Sequence, residues 1–440
     1  MIVIKFGGSS VATSERISKV SKIINSYASD RPLVVVSGLG GVTDSLIDAG
    51  NAAAKGIGPE RTIERIIKRH LDVIEELRLA PRVIDTEIRQ ARRLYREISW
   101  AGALRPKALD AMMSFGERFS ARIVAATLVR DGVEARAFDA YDAGVLTDSN
   151  FGNAEILEDT HRRIREFVRK TRPIPVVTGF IGMDRKGNIT TLGRGGSDYT
   201  ASVFGAAANA EQIQIWTNVD GIMTADPRVV SGAKSLASVT FMEELELEYL
   251  GSSTLHPKGI IPAMNKGIEV KIMNTLNTEY KGTLITKDIR ASRRIASITQ
   301  KDGITVIKAR KKGRNDEGDL FRKASSALAR RNIAVISMTT SRDNITMVLN
   351  NAAEDEVRKL ADELEGTGIL EIVGGLSMVS VVGKAMGSTQ GIMSRMVSAV
   401  GNTGIFAFIS SESGMSKSII VNGKEAKKAV RLLHMEFFGE

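Results

Sequence analysis

The segment from Lys5 to Ser10, Lys-Phe-Gly-Gly-Ser-Ser, contains the residue types of a phosphate site. It continues the apolar run Ile2 to Ile4, so a short strand would deliver a fixed ammonium group, and the glycines would let backbone N–H groups approach an anion. The apolar spacing after Ser14 predicts a helix capped by that residue, whose N-terminus would attract negative charge. An ordinary turn explains the same residues, so this segment alone leaves both interpretations open.

A second glycine-rich segment, Thr191 to Ala201, places Arg194 among three glycines and Asp198 at a predicted helix start. A guanidinium group can bind a carboxylate or phosphate through two hydrogen bonds, and glycine amides can line an anion-binding concavity. This combination favours a ligand-binding loop over a purely structural one.

Two further segments carry polar groups at predicted element ends. Ser37 and Thr43 belong to a glycine-rich turn that could hold a small polar ligand, although a flexible turn fits equally well. Glu117 stands at the start of a helical pattern, where it could bind an amino group or could simply interact with the helix dipole.

Two later segments are less specific. The segment from Ile215 to Arg228 predicts a strand, a turn and a proline stop, which could form a nucleotide wall or only a connection. The segment from Leu250 to Lys258 predicts a helix end, and His256 within it is interpreted as a core residue and not as a metal ligand.

The composition excludes several kinds of chemistry. The 440 residues are 43% hydrophobic and 25% charged, enough for two or three hydrophobic cores. The chain contains no cysteine and only four histidines, which are far apart, so disulfides, thiol chemistry, a histidine metal cluster and a Ser-His-Asp triad are not expected. Any metal should be a hard cation carried by phosphate, without direct protein ligands.

The net charge of +10 raises the question of a nucleic-acid partner. Aromatic residues make up only 5% of the chain, no nucleic-acid motif is present, and the basic run Lys308 to Arg314 is typical of a solvated strand end and loop. We therefore expect no nucleic-acid partner. The absence of a long apolar run and of a signal-peptide pattern predicts a cytoplasmic protein with no membrane partner.

Apolar β-branched runs alternate with helical patterns along the chain, which predicts an α/β fold with a mostly parallel sheet covered by helices on both faces. The predicted strands are Ile2 to Phe6, Leu33 to Ser37, Ile174 to Thr178, Ile213 to Thr217 and Val270 to Met273. Their carboxyl ends should meet at one ligand-binding crevice. Residues 59–129 predict a helical subdomain.

The C-terminal third contains an internal repeat. Ile333 to Asn350 aligns without gaps with Ile405 to Asn422, 72 residues later. Each copy predicts strand, hairpin, strand and charged helix, preceded by another strand and helix, so each copy predicts a βαββαβ unit of the α+β class.

In this order, the segments resemble the aspartate kinases of the amino acid kinase family over essentially the whole chain. The matching motifs are the opening Lys-Phe-Gly-Gly-Ser-Ser-Val, the Gly-Glu pair, Leu-Gly-Arg-Gly-Gly-Ser-Asp, Trp-Thr-Asn-Val-Asp-Gly with Asp-Pro-Arg, and Leu-His-Pro. The resemblance implies an amino acid kinase domain over residues 1–288 and two ACT domains, over 303–368 and over 291–302 with 372–440. It implies that ATP with Mg²⁺ phosphorylates the β-carboxylate of L-aspartate.

The resemblance also implies roles for individual residues. Lys5, with the amides of Gly7 and Gly8, would neutralise the transferring phosphoryl group, and Asp198 would be a further catalytic residue. The residues it assigns to aspartate are Ser37, Thr43, Glu117, Arg194 and Asp198. The residues it assigns to the nucleotide are Lys5, Gly8, Ser9, Thr217, Asn218, Met223, Arg228, Ser253 and Lys258.

Three positions depart from the family pattern. Asn218 replaces an aspartate, Met223 an aromatic residue, and Ser253 stands where a lysine is expected near the phosphates. Lys258 or Arg228 could supply that charge.

The paired ACT domains imply a homodimer, with a tetramer as an open alternative, and feedback by lysine or threonine. Candidate effector contacts are Ser337, Thr340, Ser341 and Asn344. The alternatives are a different carboxylate kinase of the same fold, a non-catalytic amino-acid-binding protein, and ACT domains that serve only dimerisation.

Overall fold

The computed structural model describes residues 1–56, 59–252, 254–289, 294–311, 319–365, 368–384, 386–401 and 403–439. The chain forms two compact units. The first comprises Met1–Ile222, Ser235–Phe241 and Thr254–Ile289, and the second comprises Met223–Lys234, Met242–Ser253 and Arg290–Glu440. The predicted domain boundaries remain predictions.

The first unit is built on a large, mostly parallel sheet, as predicted. Within its described residues, eight strands lie in the order β3-β5-β2-β1-β8-β10-β11-β9, and only β10 and β11 pair antiparallel. A smaller sheet has the order β4-β6-β7. The strands are β1 (Ile2–Phe6), β2 (Leu33–Val36), β3 (Ala135–Phe138), β4 (Leu146–Thr147), β5 (Ile174–Thr178), β6 (Ile181–Asp184), β7 (Ile189–Thr191), β8 (Gln212–Thr217), β9 (Ser238–Thr240), β10 (Glu269–Asn274) and β11 (Thr283–Thr286).

Helices surround this sheet. They are α1 (Ser14–Ser26), α2 (Val42–Ala54), α3 (Pro59–Glu76), α4 (Asp85–Ala101), α5 (Pro106–Met113), α6 (Phe115–Arg130), α7 (Asp159–Lys170), α8 (Gly196–Ala208) and α10 (Ile261–Lys266). Helix α9 (Phe241–Tyr249) belongs to the second unit from Met242 onward. Every residue of β1 and β2 is buried, because a central parallel strand has no solvent-exposed face. The predicted helical region contains α3 to α6, and apolar residues of α3 such as Ile63 and Ile67 are buried in the core.

One predicted cap is wrong. Helix α1 begins at Ser14, and the side chain of Thr13 caps it by accepting a hydrogen bond from the Arg16 N–H at 3.3 Å. The hydroxyl of Ser14 instead donates to Glu76 at 2.6 Å. Thr13 takes the N-cap position because its backbone is extended, with φ of −139° and ψ of 162°.

The second unit contains the repeat. Its described residues form a six-stranded sheet in the order β13-β14-β12-β15-β17-β16. The elements are β12 (Ser297–Lys311), α11 (Asp319–Arg330), β13 (Ala334–Thr340), β14 (Asn344–Asn350), α12 (Glu354–Glu365), β15 (Gly368–Val382), α13 (Ile392–Val400), β16 (Ile405–Ser410), β17 (Ser416–Asn422) and α14 (Ala426–Phe438).

The two central strands of this sheet, β12 and β15, pair with each other and connect the two copies of the repeat. Ile304 to Arg310 of β12 pairs with β14, and Leu376 to Val382 of β15 pairs with β17. The earlier part of β12, Ser297 to Lys301, lies antiparallel to Val382 to Met378. Each copy also has its own buried apolar cluster, one including Leu320 and the other Leu433.

Among the described helices, none combines the length and the apolar character that crossing a bilayer requires.

His70 on α3 gives a prediction for stability. The side chain is fully buried, its Nδ1 lies 2.7 Å from the Ile66 carbonyl oxygen, and its ring packs against Phe119 at 4.8 Å. Burial lowers the pKa of His70 to about 4. The unfolded chain therefore binds a proton more readily below pH 6.5, and the contribution of His70 to stability decreases as the pH falls from 6.5 toward 4.

We expect the parent to lose about 2 kcal/mol of unfolding free energy between pH 7 and pH 5 relative to His70→Leu. Urea unfolding of both proteins at the two pH values measures this difference. His161→Leu, which removes a half-buried histidine of α7, is the matched control and should show a smaller change. An equal pH dependence of the parent and His70→Leu would contradict the assignment.

Candidate active site

The first unit contains a cavity of about 350 Å³ where the carboxyl ends of β1, β2 and β5 meet the starts of α2, α6 and α8. Its walls are formed by Lys5, Gly8, Ser37–Gly41, Thr43, Glu117, Phe180 and Gly193–Asp198. The segments come from distant parts of the chain and meet because parallel strands end at the same edge of a sheet.

Lys5 and Asp198 form an ion pair in this cavity. The Lys5 Nζ lies 2.6 Å from Asp198 Oδ1, and the two side chains are only 10% and 15% exposed. Lys5 is fixed by the central strand β1, and Asp198 lies in the first turn of α8. Their mutual attraction is stronger here than in bulk water, because the surroundings are less polarisable. The ammonium group is therefore held at a defined position in the cavity.

Gly7 and Gly8, which follow β1, bring the loop after β1 into contact with the loop after β2. The Gly40 N–H donates to the Gly8 carbonyl oxygen at 3.0 Å, and a Cβ atom on Gly8 would lie 2.8 Å from the Gly38 carbonyl oxygen. Gly8 is thus required for the close approach. The Gly7 N–H donates to the Trp216 carbonyl oxygen at 3.1 Å. The predicted anion contact of the Gly7 amide is therefore wrong, because continuation of the β1–β8 pairing already uses that donor.

Two helices begin at the cavity. Gly41 precedes α2 with φ of 79°, Gly195 precedes α8 with φ of 72°, and neither helix has a side-chain cap. Both positions require a left-handed backbone that glycine adopts readily. The N-terminal ends carry partial positive charge from the helix dipole and from N–H groups without intrahelical acceptors. Together with Lys5, they make the cavity suitable for a polyanion.

Glu117 provides the opposite charge. Its side chain is buried at the start of α6, and Oε1 accepts a hydrogen bond from the Gly38 N–H at 3.0 Å. Oε2 is also buried and has no hydrogen-bond partner in the part of the chain that the structure describes. Burial raises the pKa of Glu117 to about 7, and the bond from Gly38 opposes this only in part. A buried carboxylate with one unpaired oxygen is suited to binding an ammonium group.

Arg194 lies in the loop between β7 and α8. Its side chain is exposed on the cavity wall, and none of the described residues forms an ion pair with it. A Cβ atom on Gly195 would lie 2.5 Å from the Cβ of His256, so the Arg194 loop packs closely against the segment that contains His256. The guanidinium group can therefore reach an anionic ligand without first leaving a carboxylate partner.

The remaining predicted substrate residues, Ser37 and Thr43, line the cavity and are half-buried. Of the predicted nucleotide residues, Lys5 and Gly8 line the cavity, and Ser9 directly follows Gly8.

Thr217 and Asn218 stand at the end of β8, with Thr217 half-buried and Asn218 exposed. They do not line this cavity.

Lys258 is neutralised by other residues of the first unit. Its Nζ lies 2.8 Å from Asn153 Oδ1 and 3.1 Å from Glu155 Oε1. It does not line the cavity, so its assignment to the phosphates requires that it leave these partners.

Met223 and Arg228 belong to the second unit. Arg228 is exposed and forms an ion pair with Asp226 at 2.7 Å. Their nucleotide contacts stay a prediction, and Ser253 lies outside the described residues.

The candidate effector residues lie on one hairpin of the second unit. Ser337 and Thr340 are on β13, and the Ser341 N–H donates to the Asn344 carbonyl oxygen at 2.8 Å across the turn to β14. Thr340, Ser341 and Asn344 are exposed. Their effector role also stays a prediction.

His256 is not a core residue, contrary to the sequence interpretation. It is half-buried, and its Nδ1 accepts a hydrogen bond from the Lys258 N–H at 3.3 Å, capping the 3-10 helix Pro257–Gly259. A histidine followed by proline can take this cap because proline favours the first position of a helix.

Phe180 is the cavity residue that the sequence analysis missed. It follows β5 with φ of 66°, and its N–H donates to the Thr200 hydroxyl at 3.1 Å. A Cβ atom on the preceding Gly179 would lie 2.7 Å from the side chain of Ser197. The sequence offered a signal for this residue. The predicted strand Ile174 to Thr178 ends immediately before Gly179 and Phe180, and ligands bind beyond the carboxyl ends of parallel strands.

Across the described ranges, no group of three or more histidine, aspartate or glutamate side chains is arranged to hold a metal ion.

Comparison with known proteins identifies relatives of both units. Residues 1–274 match the model of the amino acid kinase family, and residues 371–435 match an ACT domain. Aspartokinase 2 of Arabidopsis thaliana, a chloroplastic protein, is 34% identical over 99% of this chain and 84% of its own length. An aspartate kinase of Stutzerimonas stutzeri is 32% identical over 99% of this chain and 97% of its own.

The fold is similar to solved structures over the whole chain. Escherichia coli aspartokinase III in complex with aspartate and ADP is 28% identical, with a TM-score of 0.82 and full coverage of both chains. The same enzyme in complex with lysine and aspartate has a TM-score of 0.80, covering 100% of this chain and 99% of the other.

Proposed function

The chain belongs to the aspartate kinases of the amino acid kinase family, and we propose that its cavity transfers the γ-phosphoryl group of ATP to the β-carboxylate of L-aspartate. The products are ADP and 4-phospho-L-aspartate. The observation that carries this proposal is the Lys5–Asp198 pair, 2.6 Å apart, in a cavity that two helix N-termini and Glu117 also line. The cavity thus offers positive charge for phosphate and carboxylate groups, and in Glu117 it offers an amine a carboxylate that forms no ion pair with the described residues.

The proposed reaction needs neither histidine nor cysteine, and the described residues of the cavity wall include neither. The nucleophile, the β-carboxylate, is already ionised at neutral pH and needs no general base. The reaction instead needs alignment of the nucleophile with the leaving group and relief of the repulsion between two anions. The Lys5 ammonium group supplies that relief because it stabilises the charge on the phosphoryl oxygens as the bond to ADP breaks.

The other wall residues fit aspartate. Arg194 binds the α-carboxylate through its guanidinium group, and the unpaired oxygen of Glu117 binds the α-amino group. Ser37 and Thr43 orient the substrate through their hydroxyl groups. Asp198 holds Lys5 in place and thereby positions the charge at the transferring group.

Mg²⁺ is proposed to enter the cavity together with ATP, as it commonly does in enzymes that bind nucleotide phosphates. When bound, it neutralises phosphate charge in addition to Lys5. Thr217, Asn218, Met223 and Arg228 are proposed to contact the rest of the nucleotide.

The second unit is proposed to be regulatory. Its repeat contains the ACT match, and a similar solved enzyme binds lysine. We infer that lysine, or alternatively threonine, acts as feedback effector at the hairpin of Ser337 to Asn344, and that two cytoplasmic chains dimerise through their ACT domains.

A coupled assay of ADP release tests the substrate assignment. We expect turnover with aspartate and at least a hundredfold lower kcat/KM with glutamate and N-acetylglutamate. A preference for either of the other two would identify a different carboxylate kinase. No turnover with any of them would contradict the proposed activity.

Removing the Lys5 charge should reduce turnover. We expect Lys5→Met to lower kcat by about 100-fold or more, because the ammonium group acts mainly in the transition state. Lys19→Met, which removes an exposed lysine of α1, is the control and should leave kcat unchanged. Thermal unfolding of both variants checks that the fold is retained. A folded Lys5→Met protein with near-normal kcat would remove Lys5 from the mechanism.

The raised pKa of Glu117 predicts a pH dependence. The carboxylate form binds the amino group, so kcat/KM for aspartate at saturating ATP should rise roughly tenfold from pH 6 to pH 8, as Glu117 ionises around pH 7. Glu117→Gln should have a lower kcat/KM and lack this rise. If the variant retains the same pH profile, another group is responsible.

A further inference from the structure

Asp110 is a buried carboxylate outside the cavity wall. It lies on α5, and only 1% of the residue is exposed. None of the described lysines or arginines forms an ion pair with it. Its Oδ2 accepts hydrogen bonds from the Thr191 N–H at 2.7 Å and the Gly152 N–H at 2.9 Å, and its Oδ1 accepts from the Thr191 hydroxyl at 3.1 Å. Burying a carboxylate without a cation is costly, so these three bonds must compensate for lost hydration.

The bonds converge on the base of the Arg194 loop. Thr191 is the last residue of β7, three residues before Arg194. Gly152 belongs to a second segment, residues 152–154, which lies beside the Arg194 loop. In this segment the Ala154 N–H donates to the Thr191 carbonyl oxygen at 2.9 Å. A Cβ atom on Gly193 would lie 2.6 Å from Asn153 Oδ1, so the two segments are in close contact. One carboxylate therefore ties both segments to α5.

We propose that Asp110 is a positioning residue for aspartate binding, which holds the backbone of the Arg194 loop so that the guanidinium group meets the substrate carboxylate. This inference rests on the proposed function. Arg194 has no ion-pair partner among the described residues, so the position of its guanidinium group depends on the backbone of the loop that contains it. Asp110 acts at the base of that loop, since its hydrogen bonds fix Thr191 from both backbone and side chain.

The role needs hydrogen-bond geometry and does not need the charge. An asparagine at position 110 can accept both N–H bonds with its oxygen and donate to the Thr191 hydroxyl with its amide. An alanine leaves two buried N–H donors without an acceptor. Burial also raises the pKa of Asp110, which agrees with a site that tolerates a neutral side chain.

The test compares Asp110→Ala, Asp110→Asn and Arg194→Ala in steady-state kinetics. We expect Asp110→Ala to raise the aspartate KM at least tenfold with little change in the ATP KM, and Asp110→Asn to remain within about threefold of the parent. Arg194→Ala should also raise the aspartate KM strongly, and adding Asp110→Ala to it should have little further effect. The KM is informative because partial unfolding lowers the active fraction, and hence the apparent kcat, without changing KM.

An unchanged aspartate KM in Asp110→Ala, or equal increases in the KM values for both substrates, would overturn the proposal. If Asp110→Ala does not fold, Thr191→Val removes only the hydroxyl bond and should raise the aspartate KM by a smaller factor; an unchanged KM there also counts against it.

Hydrogen exchange of the segment from Leu192 to Asp198 separates this inference from the activity. Faster exchange is expected in Asp110→Ala and not in Asp110→Asn, with or without turnover of aspartate. Equal exchange in the parent and Asp110→Ala would refute the anchoring role itself. If exchange changes as expected but the parent does not phosphorylate aspartate, the proposed function fails and the anchoring of the loop stands.

Discussion

The ion pair between Lys5 and Asp198 is the interaction on which the site depends. A polyanion and an acidic amino acid repel each other, so a catalyst for their reaction must hold a cation where they meet. The sheet provides the place, since β1 lies in its interior between β2 and β8, where Lys5 is opposite Val35 on one side and Ile215 on the other. Asp198 comes from the start of α8, so the pair also ties that helix to the central strand.

Close backbone packing completes the cavity. Gly8 allows the first loop to touch the second, and Gly195 allows the Arg194 loop to follow His256. Gly41 and Gly195 precede α2 and α8, whose N-terminal N–H groups add positive potential. The second unit has a separate organisation, in which the segment Met223–Lys234 hydrogen-bonds to the repeat through Thr224, whose carbonyl oxygen accepts from the Ile298 N–H at 2.8 Å. The predicted nucleotide residues Met223 and Arg228 thus belong to the second unit.

Much of this arrangement could be predicted from the sequence, for physical reasons that differ between elements. Strands β1 and β5 have their predicted bounds because parallel strands in the interior of a fold are mostly apolar and end where glycine or polar residues begin; Lys5 is the charged residue within β1. The role of the Gly7 amide and the pairing of Lys258 could not be predicted, because both depend on tertiary partners, Trp216 in one case and Asn153 with Glu155 in the other. Asp110 carries no local signal at all, since its two partner residues, Gly152 and Thr191, are more than 40 residues away in the chain.

A double-mutant cycle on Lys5 and Asp198 tests the central claim most directly. The kcat/KM for aspartate is measured for Lys5→Met, Asp198→Asn and the double variant, with unfolding curves for each. If the two side chains act as one unit, the double variant should lose no more than about threefold beyond the worse single variant. If the two losses simply multiply, the residues act independently, and the account of a cation held in place by its carboxylate is contradicted.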